Sequence, residues 1–109
     1  MSKKLLKLEQ IKDKTRFGLL HPKALREIAK VFTHGAKIYS PWNWLDCGDK
    51  WSVYYDAAQR HLNDYWDRND YDTGPKGSGL LHLAHAGACI IILLVWQMLK
   101  VGEDDRPKT

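Results

Sequence analysis

The chain has 109 residues, 44% of them hydrophobic and 28% charged, with four prolines and eight glycines. That is enough for one domain with one core, and too little for two. The balance excludes a disordered chain, a collagen-like repeat and a low-complexity segment. Two widely separated cysteines, Cys47 and Cys89, fit no zinc or redox spacing. A disulfide scaffold is therefore not expected, and a reducing cytoplasm is. The opening Met1-Ser2-Lys3-Lys4-Leu5-Leu6 does not read as a signal peptide, because it lacks the apolar run and the small-residue cleavage site.

The net charge of +4 is unevenly placed. Residues 1–16 hold six basic and two acidic residues, whereas residues 17–102 hold nine and eight. The expected organisation is a basic N-terminal arm (1–16), a helical domain (17–101) and a charged C-terminal tail (102–109). A protein that grips a nucleic-acid polymer carries its basic face on the fold itself, so no polymer partner is expected here. The arm reads as a solvated extension or as a clamp over a phosphate-bearing ligand.

Three helical segments follow. Pro22 suits a first helical turn, where its missing N–H costs nothing. Leu25, Ile28, Ala29, Phe32, Ala36 and Tyr39 then recur at three- and four-residue steps. This predicts an amphipathic helix of about five turns, at 3.6 residues per turn, stopped by Ser40-Pro41. Residues 42–50 read as a loop carrying two indoles, Trp42 and Trp44. A second helix is predicted from Trp51 to Arg68, with Asp49 or Ser52 as its N-cap. Tyr54, Tyr55, Ala58, Leu62, Tyr65 and Trp66 form its apolar stripe. Residues 69–79 carry the strongest loop signal in the chain.

The third segment runs from Leu80 to Lys100 and is apolar on every side from Ala86 to Leu99, Gln97 excepted. A core helix, a subunit interface and a membrane span all show that pattern. The two histidines, Gln97 and small residues in its flanks argue against lipid. The expected fold is all-α, a small bundle of about three main helices completed by homo-oligomerisation.

The polar residues narrow the chemistry. Glu27 and His34 lie two turns apart on one helix face, although Lys30 offers Glu27 an i,i+3 ion pair. His82 and His85 at i,i+3 on an apolar helix need partners, and His61 lies on the preceding helix. Histidines beside the acid-rich run Asp64, Asp67, Asp70 and Asp72 suit a divalent-metal site or a general acid–base pair. The same run also reads as a solvated helix end. Trp42 and Trp44 are suited to stacking on a nucleobase, with Asn43 able to hydrogen-bond its edge. No Walker loop, EF-hand, His-Glu-x-x-His or Gly-x-Ser-x-Gly is present.

The ordered set Lys12-Asp13-Lys14-Thr15-Arg16, Leu19-Leu20-x-Pro22-x-x-Leu25, Gly35-Ala36-Lys37-x-Tyr39 and Asn43-Trp44 resembles the phage dATP/dGTP diphosphohydrolase domain family. Arg60-His61-Leu62, Tyr65-Trp66 and Gly79-Leu80-Leu81-His82-Leu83-Ala84-His85-Ala86 continue the resemblance, which covers residues 12–99. It implies an all-α fold related to the MazG-like nucleotide pyrophosphohydrolases, oligomeric and dependent on Mg2+ or Mn2+. The implied reaction cleaves dATP or dGTP to the monophosphate and pyrophosphate in the cytoplasm of a phage-infected host. Glu27, His61, His82 and His85 stand at family-pattern positions. The expected roles are catalytic for His61, His82 and His85, and metal-binding for Glu27, Asp70 and Asp72. Lys14, Arg16, Lys37, Asn43, Trp44 and Arg60 are expected to bind substrate. The chain departs from MazG enzymes in lacking their Glu-x-x-Glu and Glu-x-x-Asp carboxylates. A second reading is therefore a non-catalytic phage protein that sequesters a host nucleotide signal.

Overall fold

The computed structural model describes residues 12–109. Most of the basic arm therefore lies outside the described residues. A single 3-10 turn, Phe17–Leu19, precedes four helices: α1 (Pro22–Ile38), α2 (Asn43–Cys47), α3 (Trp51–Trp66) and α4 (His82–Leu99). The described residues contain no strand, only isolated bridges joining Lys50 to Glu103 and Tyr71 to Leu81. The fold is the expected all-α bundle of three main helices.

α1 starts where its proline predicts. Pro22 occupies the first turn, and His21 caps it by accepting the Lys23 N–H on Nδ1 at 3.1 Å. Residues 42–50 are not simply a loop, since Asn43–Cys47 form one helical turn. That turn hangs from Trp42, which takes the left-handed conformation (φ +66°) and presents its carbonyl to the Leu45 and Asp46 N–H groups.

α3 ends two residues short of the predicted Arg68, because Arg68 itself takes a positive φ of 64° and cannot continue a right-handed helix. Its start also differs from expectation. Neither Asp49 nor Ser52 is the N-cap; Lys50 is, and its side chain caps nothing. The cap comes from the C-terminal tail. Asp105 Oδ1 accepts the Ser52 N–H at 2.9 Å, and Asp105 Oδ2 accepts the Ser52 hydroxyl. The tail is further held by the Trp51 indole, which donates to the Val101 carbonyl at 2.9 Å, and by Arg106 lying 4.9 Å over the Trp51 ring. Gly102 makes the return possible: at φ +77°, a Cβ there would stand 2.3 Å from the Asp49 carbonyl oxygen.

α4 is the hub of the bundle. It packs against both α3 and α1, and it supplies every buried residue named in the core except Ala58. Ala84, Ala86 and Ala88 keep its surface low, so that α1 approaches until Ile28 Cδ1 would meet a Cβ on Gly87 at 2.9 Å. Lower down, Trp96 is 1% exposed, donates from Nε1 to the Trp44 carbonyl at 3.0 Å and meets Tyr54 edge-on at 5.1 Å. This single indole ties α2, α3 and α4 together. The opposite stripe of α4, Leu83, Ile90, Leu94 and Met98, is exposed. By length and composition alone the helix could cross a membrane.

Candidate functional site

The three histidines singled out in the sequence converge. His61 comes from α3, while His82 and His85 come from the first turn of α4. The Nδ1 atoms of His61 and His82 share one proton in a hydrogen bond of 2.9 Å. The His61 and His85 rings stack 4.5 Å apart, 11° from parallel. The helices bring them together because α3 and α4 run side by side, with Ala58 on α3 and Ala84 and Ala88 on α4 buried in the core nearby.

The loop after α3 completes the cluster. Its ends are tied by Asp72 N–H donating to the Leu80 carbonyl at 2.8 Å and by Gly79 N–H donating to the Asp72 carbonyl at 2.7 Å. That closure sets Asp72 and Ser78 beside His85. Ser78 Oγ and His85 Nε2 share a hydrogen bond of 2.6 Å, and Asp72 Oδ2 lies 3.6 Å from the same nitrogen. Ser78 also accepts the Leu80 N–H at 3.1 Å. On the other side, Asp64 Oδ2 stands 3.8 Å from His82 Nε2.

Burial pushes the His61 imidazole below its ordinary value, and the neighbouring His82 adds to the effect, while Asp72 and Asp64 oppose it. Burial also lowers His85, with His61 next in weight and Asp72 again opposing. Both rings are therefore neutral at pH 7. The Cys89 thiol, deeper in the core, is pushed up to about 11 by burial and is inert as a nucleophile.

His61 and His85 open onto a groove of about 840 Å³ lined by residues of α1, α2, α3 and α4. Aromatic side chains line it as well: Trp42, which is 61% exposed, Tyr39 and Trp44. The Trp42 and Trp44 rings are 5.7 Å apart, and Trp44 rests in turn on Phe32. Asn43 lines the groove too, with its Oδ1 accepting from the Cys47 thiol at 3.4 Å. His34 faces the groove from α1 and acts electrostatically on His85.

Other predicted residues lie elsewhere. Glu27 forms an i,i+3 ion pair with Lys30 at 2.9 Å and is not on the groove. Asp70 contributes its carbonyl, which accepts the His82 N–H at 2.8 Å. Lys14, Arg16, Lys37 and Arg60 are exposed and do not line the groove, although Arg60 acts electrostatically on His61. Among the described residues, no three His, Cys, Asp or Glu side chains are arranged to hold a metal ion. The expected Glu27, Asp70 and Asp72 set thus does not fit a divalent cation, because α1 keeps Glu27 with its own lysine.

Sequence reasoning missed Ser78 and gave Asp64 no individual role. Ser78 carried a local signal, a serine two residues ahead of Leu80, the predicted start of the apolar segment, where its hydroxyl can take a free backbone N–H.

The profile of the family described as "dATP/dGTP diphosphohydrolase, N-terminal" matches residues 6–106. The chain belongs to this family. A dATP/dGTP diphosphohydrolase of Salmonella phage PMBT28 is 30% identical over 93 residues, which is 85% of this chain and 30% of the phage protein. The chain therefore spans about a third of the length of that curated relative. No solved structure matches it. Within the dATP/dGTP diphosphohydrolase N-terminal family match fall the histidine cluster, the loop that closes on it and the aromatic groove.

Proposed function

We propose that this chain binds purine deoxynucleoside triphosphates and hydrolyses dATP or dGTP to the monophosphate and pyrophosphate. The observation that carries the reading is the groove, whose lining includes both the imidazoles of His61 and His85, lowered from their ordinary value by burial, and the exposed Trp42 indole. A purine ring stacks on an indole face. A neutral imidazole takes a proton from an attacking water near neutral pH. His85 is the candidate base, held in orientation by Ser78 and by the parallel His61 ring. The reaction at the α-phosphorus otherwise depends on positioning and charge neutralisation, a role open to the exposed Arg60 and Lys37 at the periphery. The cytoplasm of an infected host is the setting this chemistry fits.

The second reading, nucleotide capture without cleavage, is favoured by the absence of a three-donor metal group among the described residues. Pyrophosphate release from a panel of dNTPs and NTPs, with divalent cations supplied or chelated, separates the two. Release from dATP or dGTP supports hydrolysis. A thermal shift with dGTP but no release supports capture. Neither release nor shift overturns both.

A further inference from the structure

Among the described residues Asp72 belongs to no three-donor metal group, yet the loop folds tightly to keep it beside His85. Gly77 permits this, since a Cβ there would stand 2.3 Å from the Asp72 carbonyl oxygen. Asp72 Oδ2 lies 3.5 Å from Ser78 Oγ and 3.6 Å from His85 Nε2, while Oγ and Nε2 are 2.6 Å apart. The carboxylate is 29% exposed and the imidazole 14%, so solvent screens their interaction only in part.

Proton counting decides which nitrogen of His85 is bare. Ser78 Oγ accepts the Leu80 N–H at 3.1 Å, which leaves it one lone pair and one hydrogen. If that hydrogen points at Nε2, the Asp72 oxygen faces a lone pair on Oγ and keeps only the long contact with the Ser78 N–H at 3.4 Å. If Nε2 instead donates to Oγ, the hydroxyl hydrogen turns to Asp72 and every group at the junction is matched. Of the titratable groups acting on His85, His61 from α3, His82 on its own helix and His34 from α1 are imidazoles, and Asp72 is the anion among them. His85 Nδ1 makes no hydrogen bond among the described residues and, unlike His82 Nε2, is not sealed from solvent.

We infer that Asp72, acting through the Ser78 hydroxyl, holds His85 with its proton on Nε2 and its lone pair on Nδ1, making Nδ1 the proton-accepting atom of the groove. The bond made by one ring nitrogen sets the state of the other. Asp72 and Ser78 are positioning residues, and His85 alone meets the attacking water. As the water oxygen bonds to the α-phosphorus, its proton passes to Nδ1. The bond to pyrophosphate breaks, and the pyrophosphate leaves with the electron pair. The Asp72 charge stabilises the imidazolium so formed. This step rests on the proposed hydrolysis, whereas the tautomer does not.

The test is long-range proton–nitrogen correlation NMR of the nitrogen-labelled chain in chelator at about pH 7.5, above the ordinary imidazole value. It reads each ring nitrogen without substrate. The expected wild-type result is a single His85 form, protonated on Nε2 and bare on Nδ1. Asp72→Asn, whose amide offers Oγ a hydrogen in place of a negative charge, moves the proton toward Nδ1. Ser78→Ala gives a mixture, and Ser78→Thr restores the single form. Circular dichroism stays unchanged, because backbone bonds close the loop. In pyrophosphate release from dGTP, Asp72→Asn and Ser78→Ala lower kcat by up to about a hundredfold, within the contribution of a positioned base. KM changes little, and Ser78→Thr recovers most of the rate. A wild-type His85 that is mixed or protonated on Nδ1 overturns the inference, as does an unaltered tautomer in Asp72→Asn. A locked tautomer in a chain that releases no pyrophosphate keeps the positioning role and removes the hydrolysis reading. Release from a chain whose His85 is mixed does the reverse.

Discussion

His61 and His85 stack with their rings 4.5 Å apart and 11° from parallel. Such a pair is stable when both rings are neutral, and protonation of one places charge against the buried face of the other. Both groups have values lowered from the ordinary imidazole range by burial and by a neighbouring histidine. The unfolded chain thus binds protons more readily than the folded one. The stability gained from neutral rings is full above about pH 6.5, the unfolded imidazole value, and is lost as pH falls through the lowered folded values. Urea midpoints measured in chelator should be level from pH 8 to 7 and drop on the acid side of 6.5. A midpoint unchanged down to pH 5 contradicts the stacked, neutral pair.

Trp96 is the most deeply buried side chain among the described residues and ties α2 to α4 through the Trp44 carbonyl. Trp96→Ala should destabilise by about 3–5 kcal/mol, the usual range for deleting a buried indole. Trp96→Phe keeps part of the packing but frees the Trp44 carbonyl. It should therefore cost less stability than the alanine variant while loosening the Trp42–Cys47 segment. Faster amide exchange there, with α3 little changed, is the expected signature.

Trp42 holds a bulky side chain in the left-handed region, where glycine is the easier residue. Trp42→Gly relieves that backbone strain and removes the exposed indole. The expected outcome is stability equal to or above wild type, with dGTP affinity reduced on the order of tenfold, the scale of one lost base–aromatic stack. Parallel thermal melts and dGTP binding isotherms decide it, and equal affinity in the variant removes Trp42 from the ligand contact.

The tail is a working part of the bundle. Ser52 holds the Asp105 carboxyl below the usual carboxylate range through its hydroxyl and N–H. Asp105→Asn should lower the thermal midpoint by a few degrees at pH 7. The gap to wild type should close as the solution is acidified below the ordinary carboxylate value, where the wild-type group also loses its charge. An asparagine variant with an unchanged melt at pH 7 denies the tail that role.

The parts of the molecule governed by periodicity were legible in the sequence. α1, α3 and α4 follow from apolar spacing, and the meeting of His61 with His82 and His85 follows from two adjacent helices that share a small-residue seam. What depends on chain return was not legible. The cap of α3 comes from a residue 53 positions away, and no local pattern announces it. Trp42 starts a helical turn from a backbone state rare for tryptophan, so Pro41 and two indoles read as loop. Glu27 shares its helix with His34, yet Lys30 one turn on captures it. Asp64 was visible only as one acid among several, because its distance to His82 depends on how α3 lies against α4.

The tie between Asp72 and Leu80 divides the loop into a stem and a tip. The stem carries Asp72 and Ser78 to His85, while Thr73 to Lys76 lie exposed beyond it. Length at such a tip is cheap, about 0.6 kcal/mol for each doubling of a flexible loop. Residues spliced between Pro75 and Lys76 should leave the imidazoles where they are. That position is where a fluorescent reporter could be carried close to the groove without becoming part of it.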